Sequence, residues 1–527
     1  MNSEYIRNRM RDNASKSQSP IQNTGQIEYK QAKSAVRDKV SALIEESSKK
    51  NSYKPKDYNL FVIDAIEKYV SESPKVEGFI SESGQLEIER LKKSLIADFM
   101  QHGKLQSALD SEEISEIQIN DYNSIWVEKN GEREPYVDST TGNRIIFTDR
   151  EEYEHFVGGI LLEDNKKLTS TDALIDAITS DGYRVAVQGD SATVADKEGE
   201  HKYKPICMTV RKQRTRNFTT QELVESGGMS NNMGRLLEMI PLAKLTTFIG
   251  GPTGSGKTVI LQALADNCPD DMRIAALGNP AELKLRRRYL SGPNKGAIRN
   301  NVVHLEAKEW HNSEKAPKEF PTIENCARAN LRLTPDVVIY EEIRSKEEFE
   351  FTADAAQTGH FFLTSLHAKN VSGLLSRYVT MYISATQGID RNTAIDILAE
   401  FLSLVIIRKK MPDNTRKITE ICEICGAKYD EGGNRVFDVN PIYTFIREKD
   451  KVAKSSTGAI SRSSLKRAVK GRHYRVGSIS EKLQQDLFDA GFDEETIEFL
   501  SRPLKKDDSG KVIPEPESYE YSPLFID

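Results

Sequence analysis

Near the middle of the chain, the run Gly251-Pro252-Thr253-Gly254-Ser255-Gly256-Lys257-Thr258 constrains the fold more than any other stretch. Glycines at its first, fourth and sixth places let the backbone turn tightly and present N–H groups to phosphate oxygens. The apolar run Leu245-Thr246-Thr247-Phe248-Ile249 before it reads as a strand, and Val259 to Leu264 after it reads as a helix. A helix starting at the loop aims its positive end at the same phosphates. Lys257 is then placed to bridge the terminal phosphates, and the Thr258 hydroxyl to ligate Mg2+. A strand, glycine-rich loop and helix in that order imply an α/β layer structure whose ligand is a nucleoside triphosphate, ATP being the expected one.

A second carboxylate site is needed to hold the metal and direct water. The apolar run Val337-Val338-Ile339-Tyr340 ends in Glu341-Glu342, the form of a Walker B strand that brings acids to the sheet edge beside the phosphates. Glu342 is the candidate that polarises the attacking water and meets Mg2+ through a water molecule.

The 527 residues allow two or three folded units. From 1 to 55 the chain is rich in Ser, Asn, Gln and Lys and reads as a disordered tail. Residues 56–104 form a helical preface, with Leu60, Ile63, Ala65 or Ile66, and Val70 on one face and Leu91, Leu95, Phe99 and Met100 on another. From 105 to 226, short alternating runs such as Ile117-Gln118-Ile119 and Ile125-Trp126-Val127-Glu128, an Asn130-Gly131 turn and a helix near Tyr153 to Leu162 suggest a small α+β domain. After a polar connector at Gly227 to Asn232, strands and helices alternate over 233–445, the pattern of a mostly parallel sheet. Residues 446–527 read as a basic linker and a helical extension, with a helix from Ser480 to Ala490.

No apolar run reaches the roughly 18 residues of a membrane-spanning helix. The N-terminus lacks the layout of a secretory signal, and the five cysteines are scattered, so a cytoplasmic protein is expected. A net charge of -6 argues against direct binding of nucleic acid. The one basic strip, Lys449 to Arg475, reads as a solvated linker, with an anionic membrane face or partner as the alternative.

The order of motifs resembles the secretion ATPase superfamily that powers type II and type IV secretion, conjugation and type IV pili. Its signature is similar to Asn330 through Arg344: an arginine, Pro335-Asp336, the apolar strand, then Glu342-x-Arg344. Thr358-Gly359-His360 and Leu366-His367-Ala368 look like its histidine box. Asp110 to Gly131 resembles the N-terminal domain of conjugation-type and tight-adherence members, and Ile418 to Gly426 the last core strand. There Cys422 and Cys425 fit strand alternation better than half a zinc site, since no second pair exists.

The resemblance implies a RecA-like P-loop core with a smaller α+β, PAS-like N-terminal domain. It adds Glu282, His360, His367 and Arg344 to Lys257 and Glu342 as catalytic candidates, and implies that Arg184 and Arg211 lean over the nucleotide. It further implies a homohexameric ATPase, cytoplasmic and held at the inner membrane through secretion or pilus platform proteins. Departures from the family pattern bear on turnover. Gly278-Asn279 stands where a Glu-Asp pair is usual, and Glu341 and Ser345 where glycines are. The alternatives are therefore a non-hydrolysing nucleotide switch or scaffold of the same machine, or a DNA-translocating RecA-like motor.

Overall fold

The computed structural model describes residues 58–72, 103–138, 141–179, 181–194, 203–212, 217–308, 319–344, 359–386, 388–448 and 469–525, with isolated positions at 33–43, 88–95, 317, 348 and 349. It divides into two compact units, Met1–Thr215 and Arg216–Asp527.

In the first unit, β1 (Ile114–Asp121), β2 (Ser124–Lys129), β3 (Glu132–Pro135), β4 (Leu174–Ile178), β5 (Arg184–Gln188) and β6 (Cys207–Arg211) form one sheet in the order β3-β2-β1-β6-β5-β4. Each adjacent pair in it is antiparallel. Asn130 and Gly131, at φ 51° and 82°, make the turn from β2 to β3 that only such residues adopt without strain. One face is apolar because side chains alternate: Ile117, Ile119, Val185, Val187, Met208 and Val210 pack under Tyr153, Val157, Ile160 and Leu161 of the helix Arg150–Glu163. Asp149 caps that helix by accepting from Glu152 N at 2.9 Å.

The helix Tyr58–Glu72 buries Val62, Ala65, Ile66 and Val70 against Val36, Val40, Leu91 and Leu95. The buried stripe thus starts at Val62 rather than Ile63, which is half-buried. Val36 and Val40 fall inside the expected disordered tail, yet they are helical and buried, because their apolar side chains pack on the helix Tyr58–Glu72. The tail's other undescribed positions, with Phe99 and Met100, lie outside the described residues.

The second unit is built on β7 (Thr247–Gly250), β8 (Ile274–Gly278), β9 (Val302–Glu306), β10 (Val337–Tyr340), β11 (Phe361–Leu366), β12 (Leu404–Lys410), β13 (Arg416–Tyr429), β14 (Arg435–Arg447), β15 (Gly471–Arg475) and β16 (Glu515–Pro516). The sheet order is β16-β15-β14-β13-β12-β7-β11-β10-β8-β9. From β12 to β9 the strands run parallel, and from β12 to β16 they are antiparallel.

A parallel sheet is covered on both faces, so its strands read as unbroken apolar runs. Along β7 and β10, Ile249, Val337 and Ile339 enter one core with the helices Asn231–Leu242 and Lys257–Asp266. Their neighbours Phe248, Val338 and Tyr340 enter the other with Val371–Ala385 and Arg391–Phe401.

The chain's end differs from the expected linker and extension. β14 runs through the expected boundary, β15 and β16 continue the sheet, and the helix Glu481–Asp489 packs Leu483 and Leu487 into the first of those cores. Of the basic strip, residues 449–468 lie outside the described residues.

Candidate functional site

The strand ends set the site. Leu366 lies opposite Gly250 and Tyr340 opposite Thr364, so β7, β11 and β10 finish side by side and the residues after them meet. Gly251 to Gly256 follows β7, His367 follows β11, and Glu341-Glu342 follows β10.

The loop needs its glycines. A Cβ on Gly251 would fall 2.3 Å from the Arg408 carbonyl oxygen and 2.4 Å from Ser255 Oγ. Gly254 and Gly256 hold φ of 73° and 86°, and Gly256 is the left-handed N-cap of the helix Lys257–Asp266. The helix N-terminus aims its positive end at the loop, and Val259 N in its first turn donates to the Gly256 carbonyl at 3.0 Å. The Ser255 hydroxyl is buried with no partner among the described residues. A glycine-bent loop, a helix N-terminus and a buried hydroxyl beside Lys257 together suit phosphate.

Lys257, buried, points its Nζ to His367 Nδ1 at 3.3 Å and lies 3.7 Å from Glu342 Oε1. His367 Nε2 stands 2.7 Å from the same Oε1. Arg344 grips the other carboxylate oxygen, Oε2, through Nε at 2.9 Å and Nη2 at 2.8 Å, and its Nη1 donates to the Asn279 carbonyl at 3.0 Å.

Burial pushes the Glu342 carboxyl up, but Arg344, Lys257 and His367 together outweigh it and hold the group below the usual carboxylate range. Burial also drives the His367 imidazole down, and Lys257, Arg377 and Arg344 add to this against the pull of Glu342. A neutral His367 with its proton on Nε2 suits both neighbours, since Nδ1 is then free to accept from Lys257. Glu342 Oε1 is buried without an aligned hydrogen-bond donor among the described residues. It is an ionised acceptor next to the phosphate loop, the state a water-activating base needs.

Two of the departures noted in the sequence, Gly278 and Glu341, are neighbours in space, while Ser345 lies outside the described residues. Glu341, 6% exposed, accepts from Glu282 N at 2.6 Å and Leu283 N at 3.3 Å, and stands 2.7 Å from His304 Nε2. A Cβ on Gly278 would lie 2.8 Å from Glu341 Oε1 and 2.5 Å from Ala281 Cα. Strand β8 therefore ends in glycine because a carboxylate from β10 takes the adjoining space. Glu282 follows, its backbone fixed by Glu341 and its charge felt by Arg344.

The structure thus gathers Lys257, Glu342, His367, Arg344 and Glu282 around the loop, with Thr258 in the first turn of its helix. His360 is not among them. It precedes β11 at the opposite end from His367, roughly 20 Å away along an extended strand. Arg184 and Arg211 are cross-strand partners on β5 and β6 of the first unit. His304, Arg408 and Arg416 escaped the sequence reading, although the unusual Glu341 marked the place of the first.

Mg2+ fits this donor set. It is usually held by one or two protein oxygens plus phosphates and water. The half-buried Thr258 and the ionised Glu342 can supply such oxygens. Among the described residues, no group of three or more His, Cys, Asp or Glu forms a cage of its own.

The sheet and the loop at its edge define a two-domain α/β chain of the ATPase fold. The model of the family described as "Type II/IV secretion system protein" matches residues 192–485, more than half of the chain, and the chain belongs to that family. Among curated relatives, it is 31% identical over 170 residues to the protein transport protein HofB homolog of Escherichia coli, covering 32% of this chain and 31% of the relative. It is 30% identical over 190 residues to the type IV secretion system protein VirB11 of Brucella suis, covering 35% and 47%. The chain thus spans about a third to a half of the length of these relatives. The solved VirB11 ATPase of Brucella suis, in complex with sulphate, is similar over 62% of this chain and 98% of its own, at 20% identity and a TM-score of 0.30. No helix among the described residues is long and apolar enough to cross a membrane.

Proposed function

We propose that the chain is an ATP-hydrolysing motor subunit of a type IV secretion or conjugation system, or of a related type IV pilus. The observation that supports this best is the convergence of Lys257, His367 and Glu342 at the ends of adjacent parallel strands, directly on the phosphate loop. A protein that only bound nucleotide would have no need of an ionised carboxylate there.

In this reading the loop N–H groups and Lys257 bind the β- and γ-phosphates, displacing Lys257 from His367 and Glu342. Glu342 Oε1 accepts a proton from the attacking water, while Arg344 keeps the carboxylate oriented and Glu282 lies in the surrounding acidic shell. Thr258 and, through water, Glu342 would hold Mg2+, which supplies charge neutralisation on the phosphates. His367, neutral, stays beside the base when Lys257 moves to the phosphates.

Arg184 and Arg211 are assigned to the triphosphate. The first unit then closes over it by movement near Gly227-Gly228 in a homohexamer, and the assembly works in the cytoplasm against inner-membrane platform proteins. His360, far from this cluster within the chain, is assigned to a subunit boundary.

Steady-state phosphate release tests the core of this. Lys257→Ala should abolish it, and Glu342→Gln should lower it by about a hundredfold or more while ATP stays bound. A Glu342→Gln protein that turns over at the wild-type rate defeats the assignment. A wild-type rate no higher than that of Lys257→Ala favours the scaffold reading.

A further inference from the structure

The phosphate loop is also held from behind. Two of the loop's carbonyls accept from arginines of the β12–β13 hairpin. Arg408, 5% exposed, donates from Nη1 to the Gly256 carbonyl at 3.1 Å. Arg416, the first residue of β13, donates from Nε to the Gly254 carbonyl at 2.9 Å. Both side chains close in on the loop: a Cβ on Gly256 would lie 3.4 Å from either.

The two residues after Arg416 reach in a different direction. Lys417 Nζ donates to the Gly227 carbonyl at 2.9 Å, and Ile418 N to the Gly228 carbonyl at 2.8 Å. A Cβ on Gly228 would fall 3.2 Å from the Arg416 carbonyl oxygen, so the strand start is packed on this turn as well as bonded to it. Gly227, at φ 68°, ends the short helix Thr220–Glu225, near where the chain enters the second unit. Three consecutive residues therefore hold the phosphate loop with one and the entry turn with the other two. The strand between is stiff, since Arg416, Lys417 and Ile418 are all paired with β12.

We propose that Arg416-Lys417-Ile418 is a coupling bar that carries the nucleotide state of the phosphate loop to the turn at Gly227-Gly228. Arg416 is a positioning residue in this scheme. When phosphate draws the loop N–H groups, the carbonyls of Gly254 and Gly256 rotate with them, and the guanidinium that follows Gly254 shifts a strand start tied to the turn. Packed contacts of this kind move between discrete arrangements rather than bend smoothly, so a small change at the loop is felt at the turn. The proposal rests on nucleotide binding at the loop, as argued above.

The test is hydrogen–deuterium exchange of the full chain over residues 219–232, with and without Mg2+ and ADP, beside calorimetric measurement of ADP affinity. In the wild type, ADP should change exchange at 226–230 by several-fold. Lys417→Met, which keeps the loop bond and loses the Gly227 bond, should bind ADP with wild-type affinity and lose most of that change. Arg416→Ala should lose it too, with ADP affinity weakened by about tenfold, and Arg416→Lys should recover part of both. A full exchange response in both Lys417→Met and Arg416→Ala overturns the coupling, as does a wild type that binds ADP without any response at the turn. A wild type that fails to bind ADP overturns the functional reading itself, and the coupling with it.

Discussion

Glu342 and Glu341 are adjacent in sequence and opposite in use, a difference that the chemistry around each carboxylate explains. Glu342 has one oxygen clamped by Arg344 and the other beside Lys257 and His367, and these neighbours hold it ionised. Glu341 spends its oxygens on the backbone of Glu282 and Leu283 and faces His304, which makes it structural. Glu341→Ala would strand two buried backbone N–H groups, at a cost of roughly 2–4 kcal/mol. Glu341→Gln, which keeps one acceptor oxygen, should cost less. Urea unfolding checks this: the midpoint should fall in the order wild type, Gln, Ala, and an unchanged midpoint for Ala would show that the carboxylate holds nothing.

Lys257 and Glu342 were legible in the sequence because a phosphate loop and a strand ending in acids are local patterns; the resemblance added His367. The Glu341 role was not legible, since its partners lie 37 to 59 residues away and only the fold brings them together. Gly278 read as a lost acid, whereas its lack of a side chain is what admits one from the next strand.

Among elements, the short apolar strands β7, β10 and β11 were readable because burial on both faces leaves no room for polar residues. β15 reads as linker, Gly471-Arg472-His473-Tyr474-Arg475, and is nevertheless part of the sheet. Its polar side chains are tolerated because each finds a distant partner. His473 Nε2 donates to the Ile418 carbonyl at 2.9 Å and its Nδ1 accepts from the Tyr519 hydroxyl at 2.9 Å, while Arg475 reaches the Leu500 carbonyl and Glu515.

Burial takes the His473 imidazole down to about 4, against a smaller upward pull from the Ile418 carbonyl. The unfolded chain should titrate near 6.5, so it binds the proton more tightly than the folded chain does. The stability this neutral histidine contributes is therefore whole above pH 6.5 and is lost as the pH falls towards 4, by roughly 3 kcal/mol at most. Thermal melts at pH 7.5, 6, 5 and 4.5 should show the wild type losing more Tm than His473→Gln over that window. Parallel losses in the two proteins would mean that other groups dominate.

At the scale of the molecule, the two units have separate hydrophobic cores, one under the antiparallel sheet and a pair on either face of the mixed one. The change from alternating strands to unbroken ones suggests two units, but the division falls between Thr215 and Arg216 rather than at 226, because the helix Thr220–Glu225 packs Leu223 and Val224 into the second unit's core. Arg184 and Arg211 carry no such local signal: each reads as a strand-edge arginine, and only the family resemblance points it at a nucleotide. Separate cores favour separate unfolding transitions in calorimetry. A ligand that binds one folded unit stabilises that unit alone, by about 2.7 kcal/mol at a hundred times its Kd.

Mg2+ with a non-hydrolysable ATP analogue should thus raise the transition of the second unit, which holds the phosphate loop, whatever the arginines do. If Arg184 and Arg211 also meet the triphosphate, the transition of the first unit should rise with it, and the double variant Arg184→Ala, Arg211→Ala should lose only that second shift. A first-unit transition that never responds to the analogue removes the arginines from the nucleotide site and leaves the phosphate loop of the second unit to bind alone.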